Sequence, residues 1–343
     1  ALQPYLSEIY KGGNLIFYYN NKPAANDSDI AAAWQQAYDS ASDSDTPTRC
    51  SVTGRLAPAA RLHGNIQGVR GAQSSGASLV SFNADAFCSY GHEQGENAPV
   101  STYAMTAYTQ ALNYLLRSDN VRRIGDVTVV YWVENADPAI AAFAGAMLFG
   151  PQEQSDWSEN DILSAIQKLV SGRTADLQDM HLSPDTHFYI LGQNVTLDPQ
   201  RHFYVLGLAP NAARLSVRFF WQDTFTKLAK NVNAHYERLE ITRPAYEKFD
   251  TLWPYTLARS AVRFSKDWKK ADEELQKSFP RLSGDLLTSI LNDTRYPATL
   301  LNGTVQRIRA EHDVTWARAS VIKAYYSKNE DPLCPKEVLT VSV

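Results

Sequence analysis

The segment DVTVVYWVE, 126–134, constrains the fold most. Val127, Val129, Tyr131 and Val133 alternate with Thr128, Val130 and Trp132, so a strand here is β-branched or aromatic on both faces. Such a strand must be covered on both sides. A second strand is expected in AARLSVRFFW, 212–221, where alternation sends Leu215, Val217, Phe219 and Trp221 to one face and Arg214, Ser216 and Arg218 to the other. Two arginines on one strand face can hold successive phosphates, or they can pair with nearby carboxylates. LIFYYN, 15–20, reads as a strand turning at 21–23, and DIAAAWQQAYDSA, 29–41, as a helix followed by a connector over 42–48. HFYILG at 187–192 and HFYVLG at 202–207 read as two similar, paired strands.

Elsewhere the apolar spacing is helical. In PVSTYAMTAYTQALNYLLR, residues Ala104, Tyr108, Ala111, Leu112 and Leu115 form one stripe, with Thr106, Gln110, Asn113 and Arg117 opposite. Helices are expected near 138–148 and 159–171. From 223 onward the chain reads almost wholly helical: Phe225, Leu228, Val232, His235 and Leu239 make one stripe, with further helices near 254–270, 284–292, 297–311 and 313–327. The fold class is therefore α+β, with mixed sheet-containing N-terminal and central lobes followed by a helix-rich C-terminal portion. The expected divisions are 1–123, 124–221 and 222–343.

Charge is unevenly spread. Net charge is −4, yet residues 124–200 carry 2 basic side chains against 11 acidic ones, and residues 201–330 carry 21 against 14. Such a partition lets a basic region attract phosphate while an acidic one repels it or meets protein, although charged helix faces also serve simply for solvation. Cys50, Cys88 and Cys334 are too scattered for a zinc site or a disulfide framework, so reduced thiols are expected. No membrane-spanning run or secretory leader is recognisable, which places the chain in the cytoplasm.

GVRGAQSSGASLVSFN, 68–83, and FCSYGHEQGENAPVS, 87–101, gather small, uncharged hydrogen-bonding residues. Their glycines permit close backbone approach, and their amides and hydroxyls can read base edges. Catalytic readings of this block fail on spacing. GAQSSGAS lacks the G-x-S-x-G register of a hydrolase, Gly71 and Gly76 are followed by Ala77 and Ser78 rather than the lysine of a phosphate loop, and HEQGE lacks the second zincin histidine. Asp126, Glu134 and Asp137 lack ligand spacing for a nuclease metal. His63, His187 and His202 read as structural histidines. No metal, cofactor or catalytic residue is expected.

HGNIQGVRGAQSSGASLVSFN, AFCSYGHEQGENAPVS and ALNYLL, then FYVLGLAPNAARLSVRFF (203–220), RYPATLLNGTVQRIRAE (295–311) and KEVLTVSV (336–343), in this order, closely resemble the large-subunit family of subtype I-C CRISPR surveillance (Cascade) complexes. The resemblance runs from about Leu15 onward. It implies further chain at both ends, including a C-terminal helical bundle. It also implies a non-catalytic subunit that binds target double-stranded DNA, recognises the protospacer-adjacent motif (PAM), helps start strand separation and R-loop formation, and presents a surface for a helicase-nuclease.

Carried onto this chain, the resemblance makes Asn65, Gln67, Gln73, Ser74, Ser75 and Asn83 candidates for reading or wedging the motif, with Arg61 and Arg70 positioning phosphates. Gln67 and His92 stand where the family pattern often carries lysine. Arg214, Arg218, Lys227, Lys230, Arg259, Arg263, Lys266, Lys269, Lys270, Arg307, Arg309 and Lys323 are further candidates to line a phosphate path. The partners implied are the guide-RNA-containing CRISPR complex subunits, target DNA, the helicase-nuclease effector and, as antagonists, viral inhibitor proteins. A metal-dependent nuclease and an interaction scaffold without base readout remain the alternatives.

Overall fold

The structure, a computed structural model, describes residues 11, 16–40, 47–134, 138–151, 162, 166, 187–190, 193–196, 201–247 and 251–329. The chain divides into two compact units: Ala1–Asn65 with Ser78–Ala111, and Ile66–Ala77 with Leu112–Val343. The division is not sequential, because part of the glycine-rich block belongs to the second unit.

In the first unit, β1 (Tyr18–Tyr19) and β2 (Lys22–Pro23) form a hairpin whose turn uses Asn20 and Asn21 at φ 48 and 62, a conformation asparagine tolerates. Helix α1 (Ser28–Ser40) follows, its entry capped by the Asp27 carboxylate, which accepts from the N–H groups of Asp29 and Ile30. Then comes the hairpin of β3 (Pro47–Arg49) and β4 (Leu56–Pro58), while the short strands β5 (Asn65–Ile66) and β6 (Ala77–Ser78) fall where the chain passes from one unit to the other. Helix α2 is Thr102–Leu115. Along it, Ala104, Leu112 and the following Leu116 are buried while Ala111 is exposed, so the expected stripe is rotated towards Leu116. Cys50 joins the hairpin to the start of α2: its Sγ accepts from the N–H groups of Ser101 at 3.2 Å and Thr53 at 3.5 Å.

In the second unit, β7 (Val121–Ile124) and β8 (Val127–Val133) form a hairpin through Gly125 at φ 58. Helix α3 is Pro138–Phe149. Strands β9 (His187–Ile190) and β10 (Gln193–Thr196) pair with each other, whereas β11 (His202–Asn211) pairs with β8 and β12 (Arg214–Thr224). The two HFY strands therefore lie in different sheets, contrary to the pairing suggested by their sequence echo. The six-stranded sheet has the order β5-β6-β12-β11-β8-β7.

One face of this sheet carries the core. Val129, Tyr131, Val133, Phe203, Val205, Phe219 and Trp221 are buried there in one cluster with α3 and the later helices. Gly145 lets α3 approach: a Cβ at that position would lie 2.3 Å from the Tyr131 hydroxyl oxygen. The opposite face is covered differently. Val130 and Leu208 are fully buried, but Trp132 and Tyr204 stack at 5.2 Å in a half-buried position beside the exposed Phe220. Strand β8 is thus apolar on both faces because both faces take part in packing.

The expected alternation in β12 breaks at Arg218. Gly207 faces Phe219 and Leu208 faces Val217, so Arg218 has no cross-strand partner and forms a bulge. Since Gly207 and Leu208 point to opposite faces, so do Phe219 and Val217, and Val217 is 48% exposed against 8% for Phe219. Arg214 and Arg218 do not form the single aligned row that the sequence suggests.

The helices are α4 (Phe225–Leu239), α5 (Pro254–Arg259), α6 (Trp268–Ser278), α7 (Leu282–Asn292), α8 (Ala298–Glu311) and α9 (Trp316–Asn329). Thr224 caps α4, and Phe225, Leu228, Val232, His235 and Leu239 are all buried as their spacing requires. The single helix expected over 254–270 is two. Asp267 captures the N–H groups of Lys269 and Lys270 and starts α6 afresh, while Ser265 Oγ accepts from the Asp267 N–H. Of the helix expected over 159–171 only Ile162 and Ile166, both buried, are described, and KEVLTVSV lies outside the described residues.

Candidate nucleic-acid interface

Residues 66–77 form a strap in the second unit, fixed at both ends and along its length. Ile66, Val69 and Ala77 are buried. The Gln67 N–H donates to Asn113 Oδ1 at 2.8 Å, and its Oε1 accepts from Arg117 at 2.9 Å. A Cβ on Gly68 would sit 3.4 Å from Leu116, and one on Gly71 would sit 3.2 Å from Pro210, both with φ near +80 to +90. The Arg70 N–H donates to Thr128 Oγ1 at 3.0 Å, on the sheet face opposite the core. Two short turns, Ala72 N–H to Val69 O and Gly76 N–H to Gln73 O, then expose Gln73, Ser74 and Ser75 at the tip. The strap thus presents an uncharged amide and two hydroxyls from anchored backbone.

The remaining motif candidates belong to the first unit. Asn65 is exposed and its Oδ1 accepts from Ser78 Oγ at 3.0 Å; Asn83 and Arg61 are also exposed. His63 is structural, its Nδ1 lying 2.6 Å from the Tyr108 hydroxyl, and burial pushes its pKa down. The segment HEQGE ends in a single turn over 94–97 in which the Glu96 carboxylate accepts from the Glu93 N–H, with His92 and Glu96 exposed. Among the described residues, no three His, Cys, Asp or Glu side chains converge as a metal site.

The expected phosphate-binding cations separate into two kinds. Lys227, Lys230, Arg263, Lys266, Lys269, Lys270 and Arg309 are exposed. Arg70 is instead ion-paired with Asp272, Arg218 with Asp126 at 2.8 Å and Arg307 with Glu311 at 3.9 Å. Arg214 and Arg259 are half-buried, and Lys323 donates to the Glu240 carbonyl. Asp126, the first member of the carboxylate trio considered for a nuclease, is thereby occupied. Burial pushes its carboxyl pKa up, against the lowering effect of the Arg218 guanidinium. Removing one partner of such a pair strands the other, so Arg218→Ala is expected to cost about 2 kcal/mol in urea unfolding. A loss below about 0.5 kcal/mol would show the pair to be energetically idle.

Sequence reasoning missed the residues that hold the strap: Thr128, Asp272, Asn113 and Arg117. Asn113 and Arg117 read as the wet side of a helix, and nothing local marks Asp272, which lies 202 residues from Arg70.

No helix among the described residues is long and apolar enough to cross a membrane. No curated protein matches the chain. One family model, described as CRISPR-associated protein (Cas_Csd1), matches residues 2–343. With that match spanning almost its whole length, the chain belongs to the Cas_Csd1 family of CRISPR-associated proteins, as a subunit of a Cascade-type complex.

Proposed function

We propose that this subunit is the non-catalytic large subunit of a type I-C complex, and that it recognises the PAM in target double-stranded DNA. The observation that carries the reading is the strap 66–77, whose uncharged tip Gln73–Ser74–Ser75 is exposed while its flanks are fastened. Amides and hydroxyls can donate to and accept from base edges, and anchored backbone lowers the entropy lost on binding. Exposed cations on α4, α6 and α8 would hold phosphates without reading sequence.

In such an assembly, guide-RNA pairing reads the target while protein checks a short duplex motif and eases the first unpaired steps. Because exchanging DNA duplex for heteroduplex is nearly balanced, an interaction worth about 1–3 kcal/mol decides whether opening starts. The subunit breaks no bond in this reading; it presents a surface on which a separate helicase-nuclease acts.

The test is duplex binding by the assembled complex, with correct and altered motifs, at several salt concentrations. Gln73→Ala combined with Ser74→Ala should reduce the preference for the correct motif by roughly 10- to 100-fold. Lys227→Ala, Lys230→Ala or Arg309→Ala should weaken binding to every sequence and lower the salt slope by about one for each phosphate that is no longer neutralised. Unchanged motif preference in the tip variant, with assembly intact, would reject base readout and leave a scaffold role. Divalent-metal-dependent cutting by the isolated chain would reject the non-catalytic reading.

A further inference from the structure

The strap has little stiffness of its own. Gly68, Gly71 and Gly76 all adopt positive φ, and its internal hydrogen bonds are two short turns. Its shape must therefore be imposed by what it is fastened to.

The deepest fastening is Arg70. Its main chain binds Thr128 on β8 and its guanidinium reaches the Asp272 carboxylate on α6, so one residue ties the strap to the sheet and to a helix. Asp272 is only 6% exposed. Beside it, the Tyr255 hydroxyl pKa is pushed up to about 12, first by burial and then by the Asp272 charge. The Arg259 guanidinium lies over the Tyr255 ring at 5.3 Å and donates to the Ser265 carbonyl at 3.0 Å. An arginine carried on a glycine-rich segment thus enters an ordered charged network. Gln73 begins only three residues further on.

We infer that Asp272 is a positioning residue for motif discrimination: through its ion pair with Arg70 it latches the strap and sets where Gln73, Ser74 and Ser75 stand. The inference rests on the proposed function for what the tip reads. Asp272 itself touches no DNA, and Arg70 serves the latch rather than a phosphate.

Asp272→Asn keeps the side-chain shape and removes the charge, and Arg70→Gln approaches the same pair from the strap. Both are made in the assembled complex, with Gln73→Ala as a reference. Amide hydrogen exchange over 71–76 is measured without DNA, and motif preference and salt slope are measured with it. Either latch variant should speed exchange in the strap by about tenfold or more. Either should also lower motif preference by about three- to tenfold with the salt slope unchanged.

Unchanged exchange in both variants overturns the latch. A preference flattened by Gln73→Ala but not by Asp272→Asn overturns the positioning role while leaving the proposed function intact. Faster exchange with a preference that none of the three variants alters overturns the proposed function, and the inference falls with it. Tighter binding of Asp272→Asn to every sequence, with a steeper salt slope, would make Arg70 a phosphate ligand held in reserve and would also overturn the latch.

Discussion

Alanine at Gly95 should cost the first unit about 3 kcal/mol or more. An added Cβ would lie 1.9 Å from the Ala60 carbonyl oxygen and 2.9 Å from that of Arg61, and both obstacles are backbone rather than movable side-chain ends. The segment cannot step aside cheaply. Ala60 N–H donates to Val100 O at 2.8 Å, Ala59 bridges to Ser101, and Gly95 N–H itself donates to Arg61 O at 3.0 Å. Overpacking against soft side chains costs about 1–3 kcal/mol, and a clash with fixed main chain belongs at or beyond the upper end. Gly91→Ala is the control. Its φ is +75 with nothing within 4 Å, so only the backbone preference is lost, about 1 kcal/mol. Urea unfolding and limited proteolysis within 78–111 would compare the two, and equal costs would show that the main chain at Ala60 gives way to a Cβ without penalty.

The second large effect is acid lability from His235. The imidazole is completely buried, with Nδ1 2.6 Å from the Tyr296 hydroxyl. Burial, followed by repulsion from Arg238, lowers its pKa from 6.5 to about 3. In the unfolded chain His235 takes up a proton near pH 6.5, whereas in the folded chain it does so only near pH 3. Its contribution to stability is therefore full above about pH 6.5 and declines as pH falls through that window. At 1.36 kcal/mol per unit the loss approaches about 4–5 kcal/mol at pH 3. Carboxylates titrate in the same range, so the measurement is the difference between wild type and His235→Leu. The Tyr296 hydroxyl also accepts from Arg238 Nε at 3.4 Å, a partner that the substitution does not remove. The two stability–pH curves should converge as the pH is lowered from 7 to 4, and parallel curves would place a charged or solvated imidazole at this site.

Much of the second unit was legible because its signals are local. The two-sided apolar character of 127–133 requires a central strand, and the stripe from Phe225 to Leu239 requires a helix docked on a core; both hold. The departures come from interactions that periodicity cannot carry. Inserting Arg218 as a bulge moves Val217 to the opposite face from Phe219 without any change in composition. The cap at Asp267 divides a helix that apolar spacing alone would continue. The echo between the HFY segments conveys strand preference and nothing about partners, since pairing depends on which edges meet. The polar block announced itself through glycine, serine and amide content, but what fastens it is spread from Asn113 to Asp272.

The separation of the latch partners also orders biosynthesis. A nascent chain carrying the strap must wait for 202 further residues before Arg70 meets Asp272. Synthesis runs from the N-terminus, so the hairpin of β7 and β8 can offer Thr128 to the strap early, whereas the Arg70 side chain is latched only once α6 has been made. A premature stop upstream of α6 would therefore release a polypeptide that retains every tip residue yet has lost the means of aiming them.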